Sequence, residues 1–523
     1  MKRKAVLGNF LAVLGGLVLL GGIEGGLQLL DVGPSSRLFR PTQRGAETVY
    51  EVNREVAYRF FQRQYQRHVP LELRFSKTKP AGTVRIFVLG ASTLIGFPNP
   101  VHTAFPHWLQ KMLADAYPQR RFEVLNCGIT AINSFSLVDF AQEIVNYDPD
   151  LIIFYAGHNE FMGPYGVTTP FLRFGNDRSW IRLHMHLQRS KIYYYLSELI
   201  FYLLQWIAPT EASQDFGLHL AQKEIGLFDQ GYQTTVSNYR ANLQDVLDAA
   251  QRHQITVVLS TLVSNLKDFH PLRSQCDAAT AELQQRIAQS SLQETEKWAK
   301  TLLQENPYCA NIHFELARMH YRRGAMRRAR AAFVHARDMD RLPFRAPSVF
   351  NQIIRDLATE EVLLADVEQT FAAAAPHRIV GNELITEYVH PTVYGHYLIA
   401  RTLLETLEQS PPATTWGSPQ PIADYKTYFD QLDYPLEEQI SRRNDLMLFL
   451  RKMPYTIPPP ALHQSIATLI DAQLRDIPQL PAAARQQFIS RGGLRFLTQM
   501  LDFLPANDRR ALAAALRQLG SNQ

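Results

Sequence analysis

The sequence predicts an α/β protein: a three-layer α/β/α parallel sheet with an inserted helical unit and a helical C-terminal extension. Three observations carry that expectation. Short apolar, β-rich runs at 84–89 (VRIFVL), 122–126 (FEVLN), 151–155 (LIIFY), 256–260 (TVVLS) and 362–366 (VLLAD) alternate with stretches of helical spacing. The runs are apolar nearly throughout rather than at every second residue, as strands covered on both faces are. Gly90, Gly128 and Gly157 close the first three runs, and in open parallel sheets the carboxyl ends of strands are where ligands bind.

In chain order, residues 1–30 read as a transmembrane signal-anchor. Lys2, Arg3 and Lys4 precede an apolar stretch at 5–23 broken only by Asn9. As a helix that stretch spans ~29 Å, close to a bilayer core of ~30 Å. A cleaved signal peptide is the competing reading, but no A-x-A-like cleavage site follows. The basic cluster favours a cytoplasmic N-terminus and an extracytoplasmic body (periplasmic or extracellular), a bias weakened by Arg37, Arg40 and Arg44 on the other flank. Residues 31–82 read as a polar, aromatic-flecked connector.

The sheet domain occupies 83–277 and 346–410. Residues 105–117, 137–147, 236–254 and 391–409 have helical spacing. Residues 192–207 (IYYYLSELIFYLLQWI) are helical and aromatic-rich, yet too short to span a bilayer comfortably with Glu198 and Gln205 inside. They read as a core or lid helix, with an interfacial membrane helix as the alternative. Residues 278–345 form the helical insert. Within it, 311–340 resembles one tetratricopeptide repeat, with Leu316-Ala317, Gly324, Ala329, Phe333 and Ala336 at its packing positions. Residues 295–307 read as the closing helix of a degenerate earlier repeat. About one and a half repeats are visible where about three stand alone, so the insert must pack on the sheet domain. Residues 411–523 are helix-rich with a proline joint at 458–460, amphipathic helices at 494–504 and 507–519, and no chemistry motif.

Composition narrows the function classes. With 46% hydrophobic and 20% charged residues the chain is a folded protein. A net charge of +5 over 523 residues, with no base-reading motif, gives no reason to expect a nucleic-acid partner. Cys127, Cys276 and Cys309 have no metal-ligand spacing and allow at most one disulfide; they read as scattered structural thiols. No metal or cofactor is expected. Arg318, Arg322, Arg323, Arg327, Arg328 and Arg330 crowd the insert. The plain reading is a solvated basic face; the functional one is a protein or anionic partner.

Four short blocks carry the chemistry: Gly90-Ala91-Ser92, Asn126-Cys127-Gly128, Gly157-His158-Asn159-Glu160 and, far downstream, Glu387-Tyr388-Val389-His390. Each alone is weak. A serine after a strand is often a helix N-cap, and glycines mark turns. In this order, three of them at strand ends, they supply a hydroxyl nucleophile, oxyanion donors and a histidine with a carboxylate three residues before it. The set resembles the blocks of the SGNH (GDSL-type) hydrolases, whose sheet is flavodoxin-like: a Gly-Asp-Ser block, a Gly block, a Gly-x-Asn block and an Asp-x-x-His block. The resemblance covers roughly 83–408 around the insert. More narrowly, the chain resembles membrane-anchored bacterial members with tetratricopeptide repeats, in which Gly-His-Asn-Glu-Phe and Glu-x-Val-His blocks recur. Two departures stand out: Ala91 replaces the acidic residue before the serine, and Glu387 replaces aspartate, a longer side chain that still serves some catalytic histidines.

The resemblance implies that Ser92 attacks an ester carbonyl, that His390 shuttles the proton, and that Glu387 orients His390. It implies an oxyanion hole of the Ser92 and Gly128 N–H groups with the Asn159 amide. His158 reads either as a pocket-lining residue or as a buried structural histidine, and Asn265 either as a substrate contact or as a turn or cap. The expected protein is a membrane-anchored, extracytoplasmic serine esterase or deacetylase acting on an O-acyl ester of an envelope glycan or lipid. Its rivals are an O-acyltransferase on the same fold and a non-catalytic envelope scaffold.

Overall fold

The computed structural model describes residues 2–61, 71–168, 176–207, 223–453 and 460–521. The chain opens on α1 (Lys2–Leu29), one unbroken helix of 28 residues. Its described leucines and valines, from Leu11 onward, are exposed, apart from half-buried Leu27. The side chains of residues 1–10, with the basic cluster, lie outside the described ones. Among the described residues no helix is long and apolar enough to cross a membrane.

The segment expected to be a connector is instead a small antiparallel sheet of β1 (Phe39–Arg44), β2 (Glu47–Val52) and β3 (Arg74–Ser76), in the order β1-β2-β3. Arg44 pairs with Glu47 across a two-residue turn in which Gly45 takes a φ of 60°. What holds this sheet is tertiary. Phe39 and Phe75 are buried edge-to-face at 5.0 Å, and both reach Phe87 of the main sheet and Tyr147. Arg85, fully buried in the main sheet, donates to Ser76 O and Tyr147 O and pairs with Glu123 at 2.9 Å. A polar connector on paper thus becomes part of the core because its few aromatics find a common surface.

The main sheet has five parallel strands: β4 (Thr83–Gly90), β5 (Arg121–Asn126), β6 (Leu151–Tyr155), β7 (Thr256–Ser260) and β8 (Val362–Ala365), in the order β5-β4-β6-β7-β8. β4 and β6 are buried along their whole length, whereas the edge strands β5 and β8 are half covered. That difference accounts for the unbroken apolar runs of the central strands. Order reverses at β4, so β4 and β6 diverge to their neighbours around the crevice at their carboxyl ends.

Helices cover both faces. After the short α2 (Ser92–Ile95) come α3 (Phe105–Ala116), α4 (Ser134–Ile144), α5 (Arg178–Leu187), α6 (Lys191–Ile207) and α7 (Gln230–Arg252). The insert is two helix pairs, α8 (Asp277–Gln289) with α9 (Leu292–Glu305) and α10 (Ala310–Arg322) with α11 (Met326–Asp338). Then follow α12 (Ser348–Leu357), α13 (Val367–Ala374) and α14 (Val393–Glu408). α3 and α14 pack together on one face; α4, α7 and α12 pack on the other. α6 departs from its core-or-lid reading: most of its large apolar side chains are exposed.

The insert packs on the sheet domain, as expected. Phe314, Ala317, Ala329 and Phe333 share a buried cluster with Leu266 and Ile379 of the sheet domain. The buried pair His270 Nε2–Glu315 Oε1, at 2.8 Å, ties the same surfaces. The thiols are not scattered. Cys276 and Cys309 form a disulfide with Cα atoms 5.8 Å apart, joining the entry of α8 to the N-cap of α10. Their separation of 33 residues gave no hint that two helices fold back between them. Cys127 is buried and free.

The C-terminal extension comprises α15 (Tyr425–Asp430), α16 (Leu436–Arg451), α17 (Pro460–Asp476), α18 (Ala482–Ser490), α19 (Gly493–Leu501) and α20 (Ala506–Ser521). Pro458 and Pro459 of the proline joint lie outside the described residues. Trp416 sits edge-on to Tyr117 and Phe122, and Tyr428 to Trp108, which fastens the extension to α3. Truncating Phe75 tests whether the small sheet is a real part of the core. Phe75→Ala is expected to cost about 3–5 kcal/mol and lower the thermal unfolding midpoint of the whole sheet domain. A midpoint equal to the parent's would mean that the small sheet is a detachable flap.

Candidate active site

Ser92 is the first residue of α2, directly beyond the carboxyl end of β4. The turn is tight because Gly90 pairs with Tyr155 and has no side chain. A Cβ there would lie 2.5 Å from the Tyr155 carbonyl oxygen and 2.4 Å from a Leu94 methyl. The hydroxyl stands half-buried at the mouth of the sheet.

His390 Nε2 lies 2.8 Å from Ser92 Oγ, across a sequence separation of 298 residues. The loop that delivers it is over-determined. Glu387 is fully buried and curls back on its own loop, where its oxygens accept the N–H groups of Tyr388, Val389 and His390 and the Nδ1–H of His390. Thr386 holds the His390 carbonyl through both its N–H and its hydroxyl, at 2.8 and 2.9 Å. The extra methylene of glutamate is therefore used to fold the carboxylate over the loop. With Nδ1 donating, Nε2 is left to accept from the serine hydroxyl.

The remaining blocks meet the same crevice differently. Asn159 is buried beyond β6, and one hydrogen of its amide goes to Ile132 O at 2.9 Å, which leaves the other. Gly128 is not a free donor: its N–H is held by Asn126 Oδ1 at 3.0 Å, while Asn126 Nδ2 donates to Leu94 O at 2.7 Å. Asn126 thus bolts the Gly128 turn to α2. In the same loop Ala131 is buried in the left-handed region, with φ 65°, an uncommon conformation for a residue with a Cβ. Its N–H has no partner among the described hydrogen bonds. Nothing in the sequence marked Ala131, because glycine is the usual signal for such a backbone.

His158 resolves to a buried structural histidine. Its Nδ1 accepts the Ala346 N–H at 3.1 Å, which pins the crevice to the segment leaving the insert. Burial, reinforced by the charges of His390 and Arg337, pushes it down to about 3. His396 is likewise buried, accepts the Phe105 N–H at 3.3 Å, and is pushed down to about 3 by burial and by His390. Two neutral imidazoles therefore neighbour His390. Asn265 is fully buried and spent on backbone and side-chain partners: its amide donates to Asn382 Oδ1 and Ile385 O, and its oxygen accepts the Asp268 N–H. The structure thus corrects the reading of Asn265 as a substrate contact, since no polar atom of it remains for a ligand.

Glu160 explains the fourth residue of its block. It is buried and accepts the N–H and hydroxyl of Ser134, at 2.9 and 2.6 Å, at the start of α4. Asn242 of α7 donates to the same hydroxyl at 2.9 Å. The carboxylate thereby holds the Asn159 loop against two helices of one face.

The C-terminal extension also reaches the crevice, which no motif foretold. The Phe97 ring meets His390 at 4.9 Å, and Phe449 of α16 meets Phe97 at 5.2 Å, both edge-on. An aromatic wall shared by two distant parts of the chain therefore stands beside the imidazole. Among the described residues no group of three or more His, Cys, Asp or Glu could hold a metal ion.

No family model matches the chain, and no curated protein matches it. Among solved structures it is similar to an alpha/beta hydrolase enzyme from the metagenome of Lake Arreo, Spain, at 12% identity over 62% of this chain and 94% of that one, with a TM-score of 0.29. It is also similar to an acetylxylan esterase from Geobacillus stearothermophilus, at 13% identity over 63% and 96%, with a TM-score of 0.28. A GDSL-like lipase from Bacteroides thetaiotaomicron matches at 11% identity over 64% and 92%, with a TM-score of 0.30. Likenesses this distant do not bear on what the present chain does.

Burial pushes the Glu160 carboxyl from 4.5 up to about 7, against the pull of its two Ser134 hydrogen bonds. Because the folded value is raised, the stability linked to this group is full below the unfolded value and is lost as pH rises through about 7. Glu160→Gln keeps an acceptor for the Ser134 N–H and carries no charge. It is expected to flatten the fall in unfolding midpoint between roughly pH 4.5 and 8. A variant whose pH profile parallels the parent's would show that Glu160 contributes no such slope.

Proposed function

We propose that this chain is a serine ester hydrolase of the SGNH (GDSL) type, an esterase or deacetylase acting on an O-acyl ester. The observation that carries the reading is the 2.8 Å contact of His390 Nε2 with Ser92 Oγ, with Glu387 on the far ring nitrogen. Ser92 Oγ attacks the ester carbonyl as His390 takes its proton. The tetrahedral intermediate collapses when His390 returns that proton to the leaving alcohol. Water, deprotonated by the same nitrogen, then frees the acid and restores Ser92. Glu387 keeps the imidazole in the required tautomer and stabilises its charged form.

The developing oxyanion is held by the Ser92 N–H at the start of α2, by the free hydrogen of the Asn159 amide and by the Ala131 N–H. Gly128 joins them only if Asn126 lets go of its N–H. The neutral state of His158 and His396 keeps like charge away from His390 as it becomes an imidazolium.

In this reading α1 is a membrane anchor and the body lies outside the cytoplasm. The Cys276–Cys309 disulfide supports that side, since such bonds persist in oxidising compartments. The α8–α11 unit is a tetratricopeptide-like platform. Arg322 on α10 and Arg327, Arg328 and Arg330 on α11 are exposed and offer a surface for a protein or anionic partner. An envelope glycan or lipid suits an anchored esterase as the ester's alcohol portion. A second reading, acyl transfer to a sugar hydroxyl, is favoured by the Phe97–Phe449 wall, which shields one side of His390 from water.

The deciding experiment uses the full chain in detergent with a short-chain nitrophenyl ester and a fluorophosphonate probe. Turnover and labelling at Ser92 are expected, both abolished in Ser92→Ala. Folded protein inert in both assays would overturn the enzyme reading and leave a scaffold. Asn159→Ala is expected to lower kcat about 10²–10³-fold with little change in KM, as loss of an oxyanion donor does. Phe449→Ala should leave fluorophosphonate labelling intact while shifting the acyl-length preference. With a labelled acyl donor and a glycan acceptor, it should also raise the share of free acid over transferred acyl. Unchanged preference and unchanged partition would remove the aromatic wall from the substrate's path.

A further inference from the structure

α6 is fastened to the protein at its beginning. Glu24, on α1, accepts the Ser190 hydroxyl and the N–H groups of Lys191 and Ile192, at 2.9, 2.9 and 3.0 Å. Lys191 Nζ donates to Gly33 O and Pro34 O, at 2.9 and 2.7 Å, on the chain leaving α1. Tyr193 and Ser197 reach His184 and Gln188, at and just beyond the end of α5. Past Ser197 the helix continues for ten residues to Ile207, and Leu199, Ile200, Tyr202, Leu203, Trp206 and Ile207 are exposed. Leu199 is 52% exposed, Tyr202 68% and Trp206 79%.

The exposed residues are ordered. Tyr195, Tyr202 and Trp206, spaced seven and four apart, line one ridge of the helix. Leu196, Leu199, Leu203 and Ile207 form an aliphatic stripe about a quarter turn round. Rings with a polar tip beside an aliphatic stripe is the pattern of a helix lying at a membrane surface, the rings at headgroup level and the aliphatics below. A water-facing helix has no use for it, and contiguous exposed apolar surface rimmed by polar residues marks a protein or membrane interaction site.

We infer that α6 is a second membrane element: it lies in the bilayer interface beside the end of α1 and holds the catalytic body against the lipid surface. The proposal rests on the reading of α1 as the anchor. Continuity with α1 identifies the occupant. Glu24 belongs to α1 and is also the cap of α6, so the two helices cannot sit at different depths. Where α1 ends, at Leu29 and Leu30, its side chains are as exposed as those of α6. α6 is not proposed to span: at 17 residues it measures ~26 Å, short of a bilayer core.

The full chain is reconstituted in vesicles of phosphatidylcholine and phosphatidylglycerol carrying a phosphatidylcholine with a photoactivatable acyl chain. After irradiation, lipid adducts are mapped by peptide mass spectrometry. Adducts are expected in the peptides of both α1 and α6. In a Leu199→Glu, Leu203→Glu variant, those on α6 are expected to fall at least about fivefold while those on α1 persist. Adducts on α1 with none on α6 would overturn the proposal and leave the anchor standing. Adducts on neither would sink both, and adducts on α6 alone would remove the anchor and overturn the proposal that rests on it. Chain-to-chain crosslinks through α6 in place of lipid adducts would assign the face to a second copy and overturn the proposal as well.

Discussion

The contact between Ser92 and His390 is the constraint around which the rest of the structure is arranged. It joins residues 298 positions apart, so it exists only if the sheet is completed first. β4 must pair with β6 closely enough for a side-chain-free Gly90 to turn the chain beneath Ser92. β8 must then be added at the far edge so that the chain can return over it to the histidine loop. The helical insert is tolerated in between because it leaves the sheet domain and comes back to it without disturbing the strand order. Long excursions at a loop cost little extra closure entropy, provided that both ends are held. Here the ends are held by the Leu266–Ile379 cluster and by the hydrogen bond from Ala346 to His158.

Rigid support around the contact is electrostatic as much as steric. A buried carboxylate is tolerated when its oxygens are satisfied, and Glu387 takes three N–H groups from its own loop besides the imidazole. Glu160 does the same work for the Asn159 loop through Ser134. His158 and His396 are spent as neutral acceptors of backbone N–H groups. The crevice is therefore lined by polar groups that are already committed. Beside them stand Ser92 and His390, in contact with each other, and an Asn159 amide that spends one hydrogen on Ile132 O.

Some features are legible in the sequence alone. The five strands, the insert and the four blocks follow from short-range patterns: an apolar run, a glycine at its end, a helical period. Other readings failed where the deciding partner is one that the local pattern does not mark. Residues 31–82 are polar by composition, yet Phe39 and Phe75 find Phe87 and Tyr147 and make a sheet. Gly128 stands at a strand end as a donor should, but a side chain two residues away has taken its N–H. Asn265 follows a strand end as well, and Asn382 and Ile385 consume it. The C-terminal helices carry no motif, and still one of them brings Phe449 to the ring beside His390.

By itself, then, the sequence determined the five strands of the main sheet and the helices between them, and which polar side chains stand beyond the strand ends, because local periodicity and residue type are properties of short segments. Only the tertiary structure decided which of those groups stay free and which are consumed, which cysteines pair, and which apolar helix is left without a core. Those outcomes depend on partners tens to hundreds of residues away. A hydrogen bond satisfied from such a distance leaves no trace in the spacing of the segment that receives it.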